Sequence, residues 1–219
     1  MIKFLHRKGL PSYLFPSIVP YIRYVKFQEN SRKNRRESML FLEHSPCLTG
    51  GIGAKAENLL VSPEVLSSLG VDLVTLHRGG DFTAHEPGQI VGYLQIDLKK
   101  RNLSLGDFLR NLNQSLVIAV RETWGLAMEE NPKAPGLYLG EEPKRKLISE
   151  GIYAKSYFTS FGFALNAVND LKTFGLINPC GAKSEDMTSL LRLGKAEDFP
   201  KKRTQFVLNF ANTFLDLLP

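Results

Sequence analysis

Short runs rich in β-branched, aromatic and aliphatic residues punctuate this chain, bounded by Gly, Pro or Asn: SMLFLEH (38–44), VDLVTLHR (71–78), QIVGYLQIDL (89–98), GLYLG (136–140), KLISEGIYA (146–154) and GFALNAV (162–168). Runs of this kind predict strands. Between the third and fourth, Leu105, Phe108, Leu109, Leu112, Leu116 and Val120 recur at three- and four-residue intervals behind Ser104, which predicts a core-facing helix with a serine N-cap. The C-terminal segment 201–219 sets Val207, Phe210, Phe214 and Leu217 at the same spacing and predicts a second such helix. Strands grouped before and after one long helix predict an α/β (α+β) class, with a mixed sheet layered by helices and no strict βαβ alternation.

With 219 residues, 43% of them hydrophobic, the chain can bury a sizeable core, and no repeat or linker divides it. A single domain over 1–219 is expected. Two distant cysteines predict reduced thiols and a soluble cytoplasmic protein. The start of the chain fits, because His6, Arg7, Lys8 and several prolines interrupt any signal-like apolar run and no window resembles a membrane span. The net charge of +6 is partly local, since Arg23, Lys26, Arg32, Lys33, Arg35 and Arg36 fall within residues 23–37 of a basic N-terminal segment, 1–38. That segment predicts a basic helix or arm. No RNP aromatic pair, zinc spacing or helix-turn-helix pattern accompanies the charge, so nucleic acid is not the expected partner; an acidic protein suits it better.

Candidate chemistry lies in two places. HRGGDFTAHEPGQIVGYLQIDL (77–98) predicts a strand ending at Arg78, two glycines that let a ligand approach the backbone, then Thr83 and His85 before a Pro87-Gly88 turn. It is neither a GxxxxGK[ST] phosphate loop nor a GxGxxG turn. Cys180 stands between Pro179 and Gly181, whereas Cys47 falls where a strand is expected to end and suits a small buried filler. An ordinary thiol is mostly protonated at neutral pH, so a nucleophilic cysteine needs a base or cation beside it. Lys144, Arg145 and Lys146 are available, and Lys146 abuts the apolar Leu147-Ile148. Isolated cysteines and the scattered His6, His44, His77 and His85 predict no metal site.

In this order the segments resemble the octanoyltransferases of lipoate biosynthesis, most strongly over 39–190. LEHSPCLTGG followed by NLL is similar to the family's opening strand, RGGDFTAHEPGQIVGY to its RGG-x-x-T-Y-H-G-P-G-Q-L-V-x-Y block, and APGLYLG, GFALN, DL and INPCG follow at the family's intervals. The resemblance implies a biotin/lipoate ligase-like fold with a mixed, mostly antiparallel sheet. It also implies transfer of octanoyl from acyl carrier protein to a lysine of a lipoyl domain or of the glycine-cleavage H protein, without ATP or another cofactor. Carried across, it makes Cys180 the acyl-thioester nucleophile and Lys146 its activating base. Arg78, Gly79, Gly80, Asp81, Thr83 and His85 become the acyl-binding loop, with Ser149, Gly151, Gly162, Phe163 and Ala164 on the facing strands. A monomer with no membrane partner is expected.

The chain departs from the family pattern at Ala84, where Tyr is usual, at Glu86 (Gly), at Phe161 (His) and at Glu150 (an apolar residue). With the cysteine and lysine retained, an active enzyme of altered pocket is expected, the departures at Ala84 and Phe161 reshaping the acyl site and Glu86 setting a carboxylate near His85. The alternatives are an ATP-dependent lipoate ligase relative and a non-catalytic binder of carrier protein or lipoyl domains.

Overall fold

The computed structural model describes residues 1–131, 134–140, 144–179 and 186–219. In chain order the elements are β1 (Ile2–Arg7), β2 (Leu10–Val19), α1 (Tyr21–Lys33), β3 (Ser38–His44), β4 (Cys47–Gly50), α2 (Pro63–Ser68), β5 (Asp72–Thr75), β6 (Phe82–His85), β7 (Gln89–Gln95), α3 (Leu105–Trp124), β8 (Met128–Asn131), β9 (Ala134–Leu139), β10 (Lys146–Lys155), β11 (Phe158–Asn166) and α4 (Phe199–Leu217). An eight-stranded sheet runs β1-β2-β3-β7-β11-β10-β9-β8, and a small sheet runs β5-β4-β6. Among the strands of the described residues, β2 with β3 and β4 with β5 pair in parallel and the other pairs are antiparallel. The mixed, mostly antiparallel sheet expected from the sequence is therefore present.

Strand β7 is buried along its whole length. Period-2 alternation gives it two apolar faces. Ile90 and Leu94, with Met39 and Phe41 of β3 and Phe163 and Leu165 of β11, meet α3 and α4. Val91 and Tyr93, with Leu40, Leu42 and Ala164, face α1 and the small sheet. A further apolar cluster lies on the other side of the small sheet, around Leu48, Phe82, Ala84 and Phe174.

Helix α3 starts where the sequence predicts, because the Ser104 Oγ accepts the Asp107 N–H at 3.0 Å. It stops at Gly125, whose left-handed backbone (φ 69°) costs a glycine little. Leu105 and Leu109 lie at the rim of its apolar stripe, largely exposed. Phe108 meets Phe214 at 5.8 Å and Trp124 meets Phe206 at 5.3 Å, so α3 and α4 run antiparallel. Phe210 sits at the centre, 5.8 Å from Phe41 and 5.0 Å from Phe163. No helix among the described residues is long and apolar enough to cross a membrane.

Three expectations are corrected. The strand expected to reach Arg78 ends at Thr75, because the Arg78 and Gly80 carbonyls accept from Ile52 and Gly53 of a neighbouring loop instead of continuing a ladder. Cys47 opens a strand, pairing with Asp72 and His85, and does not close one. Thr83 and His85 belong to strand β6 and not to a loop. The β1-β2 hairpin was not legible either: Pro16 falls within a register irregularity between Leu14 and Ile18, where a residue without an N–H costs no ladder bond.

Truncating the central ring of α4, Phe210→Ala, is expected to cost about 3–5 kcal/mol, as for a fully buried phenylalanine at a junction of two layers. Urea unfolding should show a lower midpoint with an unchanged slope.

Candidate active site

Most of the expected binding residues lie along the groove where the small sheet meets the β7-β11-β10 face of the large one, a seam filled by packed side chains. Arg78 is buried, and its guanidinium donates to the Thr49 carbonyl at 2.7 Å, the Thr49 Oγ1 at 2.9 Å and the Gly79 carbonyl at 2.9 Å. Its stem lies against Gly151 of β10, where an added methyl would sit 3.7 Å from Cδ. Arg78 thus ties the small sheet to the large one. Gly79 and Gly80 are exposed, Gly80 with φ 83°, and the Gly80 carbonyl is so close to Gly51 that a Cβ there would sit 2.3 Å from it. Asp81 serves the loop itself: its carboxylate accepts from the backbone of Lys55 and Phe82 and from the Asn58 amide.

Alternation within β6 turns His85 toward the groove and Phe82 and Ala84 away from it. Thr83 shares the His85 face. The His85 ring stacks on Tyr21 at 5.3 Å. Gln89 Nε2 is committed to the Ala84 carbonyl and Asn166 Oδ1, so its Oε1 accepts from His85 Nδ1 at 3.3 Å. His85 therefore carries its proton on Nδ1. Burial first, then His44 and Arg78, holds its pKa well below the usual imidazole range, so the ring is neutral.

Behind it lies a polar aromatic cluster that sequence reasoning did not assemble. His44 Nδ1 donates to the Val19 carbonyl at 2.7 Å, which leaves Nε2 to accept the Tyr93 hydroxyl at 2.8 Å. Burial lowers His44 to about 4. Tyr21 is hydrogen-bonded to Tyr93, and the Tyr24 and Tyr93 rings stack at 3.5 Å. Burial raises all three tyrosines and Cys47, so each keeps its proton, and Cys47 is an inert filler as expected. The one available signal was the i, i+3 spacing of Tyr21 and Tyr24 inside the basic segment.

On the facing strands Ser149 pairs with Ala164 and Gly151 with Gly162. Gly162 lies so close to the Gly92 carbonyl that a Cβ would sit 2.1 Å from it. Ala164 lines the groove, whereas the Phe163 ring points the other way, into the α4 core. Phe161 is the exception to alternation. Its left-handed backbone (φ 67°) turns the ring onto the groove face beside Tyr24, whose hydroxyl accepts the Phe161 N–H at 3.2 Å. A non-glycine residue in that region costs about 1–3 kcal/mol, and the Tyr24 bond holds it there.

The departures from the family pattern thus fall in different places. Only Phe161 reaches the groove. Ala84 packs behind the small sheet, so it does not reshape the acyl side. The Glu86 carboxylate accepts from Asn169 Nδ2 (2.8 Å), Leu171 N (2.8 Å) and Thr173 N (2.9 Å), clamping a loop instead of facing His85.

Lys146 is buried at the start of β10, its Nζ 5.5 Å from the centre of the Tyr138 ring. Regular alternation would set it on the opposite face from Ser149 and Gly151. A bulge prevents this: Ile148 pairs with Leu137 but Lys146 pairs with Tyr138, so Leu147 is an extra residue, and Leu147 and Ile148 both enter the α3/α4 core. Lys146 is thereby rotated onto the Ser149-Gly151 face. Gly136 (φ 124°) makes room: a Cβ there would sit 2.5 Å from Lys146 Cε and 2.3 Å from the Ile148 carbonyl. Cys180 and Gly181 lie outside the described residues. Among the described residues no group of three His, Cys, Asp or Glu side chains is placed to hold a metal.

Glu150 faces the core side, opposite Phe163, with Oε1 out of contact with solvent and without a hydrogen-bond partner. Burial, then Glu130, raises its pKa to about 7 against the pull of Lys146. An acid raised on folding costs nothing below its unfolded value near 4.5 and costs most above its folded value. Glu150→Gln should therefore leave stability at pH 4 nearly unchanged and raise it by roughly 2–3 kcal/mol at pH 8. Urea denaturation at both values checks this; an equal effect at the two would mean an ordinary carboxylate.

The pattern of the lipoyl protein ligase A/B catalytic domain matches residues 23–211. An octanoyltransferase of Leptospira interrogans is 53% identical over 180 residues, covering 82% of this chain and 83% of the relative. One of Leptospira borgpetersenii is 50% identical over 193 residues, 88% of each chain. Among solved structures, lipoate-protein ligase A bound with ATP superposes with a TM-score of 0.69 over 92% of this chain and 85% of that one, at 16% identity, so the likeness is one of fold. A bi-partite lipoate protein ligase from Thermoplasma acidophilum gives 0.68 over 93% and 82%, at 14% identity. With the pattern matching residues 23–211 and half the residues shared over more than four-fifths of the chain, the protein belongs to the octanoyltransferases, acyltransferase enzymes of the lipoyl protein ligase A/B catalytic-domain family.

Proposed function

We propose that this protein takes an octanoyl group from the thioester of acyl carrier protein and delivers it, through a thioester on Cys180, to the ε-amine of one lysine on a lipoyl domain or on the glycine-cleavage H protein. The observation that carries the proposal is Lys146: a buried amine turned by the β10 bulge onto the face shared by Ser149, Gly151 and Ala164. An amine held beside a thiol can exchange a proton with it. The chain around Cys180 supports the pairing. Asn178 N–H donates to the Asn58 carbonyl at 2.9 Å, and beyond the segment Thr188 N–H donates to the Lys146 carbonyl at 3.0 Å.

The steps balance without a cofactor. Cys180 loses its proton to Lys146, and the thiolate attacks the donor carbonyl; the carrier's sulfur leaves and takes the proton back. The acyl group rests on Cys180 as a thioester, so little energy is spent. The acceptor amine then attacks, Lys146 takes its proton, and the Cys180 thiolate departs as an amide forms. Leu40, Leu42, Val91 and Phe161 form a buried apolar cluster beside this face. Neutral His85, its Nδ1 proton committed to Gln89, brings no charge against this cluster and keeps Nε2 as an acceptor.

Incubation of the purified chain with octanoyl-carrier protein, without ATP, should give an adduct of about 126 Da, an octanoyl group in place of the thiol hydrogen. The adduct should be absent from Cys180→Ser, greatly slowed in Lys146→Ala, and discharged by adding a lipoyl domain. No adduct on the wild type, or transfer only with ATP and free octanoate, refutes the proposal in favour of a binder or a ligase.

Gly136→Ala should displace Lys146 and slow acylation about 100-fold, the scale expected for a catalytic group shifted by an ångström. Rates from the same mass measurement, with circular dichroism confirming the fold, check this.

A further inference from the structure

Helix α1 presents two different sides. Its inner side supplies Tyr21 and Tyr24 to the groove. Its outer side presents Ile22, Arg23, Lys26, Phe27 and Lys33 to solvent, with Glu29 the one acid among them. Ile22 is 51% exposed and Phe27 38%. None of Arg23, Lys26 and Lys33 has an ion-pair partner among the described residues, in contrast to Arg35, which is held by Asp97 at 2.5 Å. Unpaired cations interleaved with exposed apolar side chains make a surface complementary to an amphipathic acidic helix.

We infer that this outer face of α1 docks the acyl donor, an acidic protein that carries its acyl group on a long flexible arm; this rests on the acyl-transfer reading above. Distance decides between donor and acceptor. Tyr24 reaches the groove at Phe161, which pairs with Ile152, six residues along β10 from Lys146. At about 3.3 Å per residue, that is roughly 20 Å from the catalytic lysine. A thioester on a long arm spans such a gap while the donor's body stays on α1. A lysine side chain does not, so the acceptor's body has to sit over the Lys146 end. The two proteins then approach from different ends of one groove.

The test is steady-state transfer by the full chain, wild type against Arg23→Glu/Lys26→Glu/Lys33→Glu. The KM for octanoyl-carrier protein should rise about ten-fold with little change in kcat, as for loss of steering charges at an interface rim. The KM for the lipoyl-domain acceptor and the turnover of octanoyl-pantetheine, a donor without the protein, should stay at wild-type values. The triple glutamine variant should fall between. An unchanged KM for the carrier overturns the inference, as does a shift in the acceptor's KM or an equal loss with octanoyl-pantetheine. If wild type takes octanoyl-pantetheine but not the carrier, donor docking fails while the chemistry stands. If it takes neither, the acyl-transfer reading fails first.

Discussion

A strand buried on both faces can hold neighbours at normal spacing only if side chains on each face find a layer to pack against. Strand β7 imposes that demand here, and the molecule is arranged around it. On one face Ile90 and Leu94 are covered by the phenylalanines of α4. On the other, Val91 and Tyr93 cannot be covered by a second pair of long helices, because the small sheet and α1 occupy that side. The groove is the seam between these covers. Two glycines let β7 and β11 pack closely: Gly92 admits the Phe163 ring on the α4 side, and Gly162 admits the Gly92 carbonyl.

The polar groups at the centre of this seam are joined in chains of hydrogen bonds. Tyr93, His44 and the Val19 carbonyl form one chain of hydrogen bonds, and His85, Gln89 and Asn166 form another. A buried polar atom without a partner costs about 1–3 kcal/mol, so such chains fix tautomers as well as positions. The consequence is electrostatic. The imidazoles stay neutral and the phenols protonated, so none of them adds a charge beside Arg78. Arg78 is occupied in holding the two sheets together, whereas Lys146 is turned onto the Ser149-Gly151 face. Glu150, two positions beyond Ile148 on the core side, has a carboxyl oxygen left unpartnered.

The departures from the family pattern show how a linear comparison misjudges distance. Ala84 and Glu86 flank His85 and read as pocket changes. Alternation sends Ala84 behind the small sheet, and the Glu86 carboxylate turns to three donors in the 169–173 loop. Phe161, beyond a hairpin and distant in sequence from His85, is the one that enters the groove, through a backbone conformation that no side-chain pattern announces.

What the sequence determined by itself is whatever depends on neighbours three, four or two residues away. The periodic stripes of α3 and α4, the serine and glycine that bound α3, the buried filler role of Cys47 and the ordered motifs that mark the family are all of this kind. The tertiary structure decided everything that depends on which face a residue takes. One extra residue at Leu147 moved Lys146 from the core side to the groove side, and a positive φ did the same for Phe161. Neither is visible in a string of letters, because a bulge or a left-handed residue conserves composition and local pattern while inverting direction. The partners of Tyr21, His44, Tyr93 and Glu86 were hidden for a related reason: their bonds join residues tens of positions apart, and only the closed sheet brings them within reach.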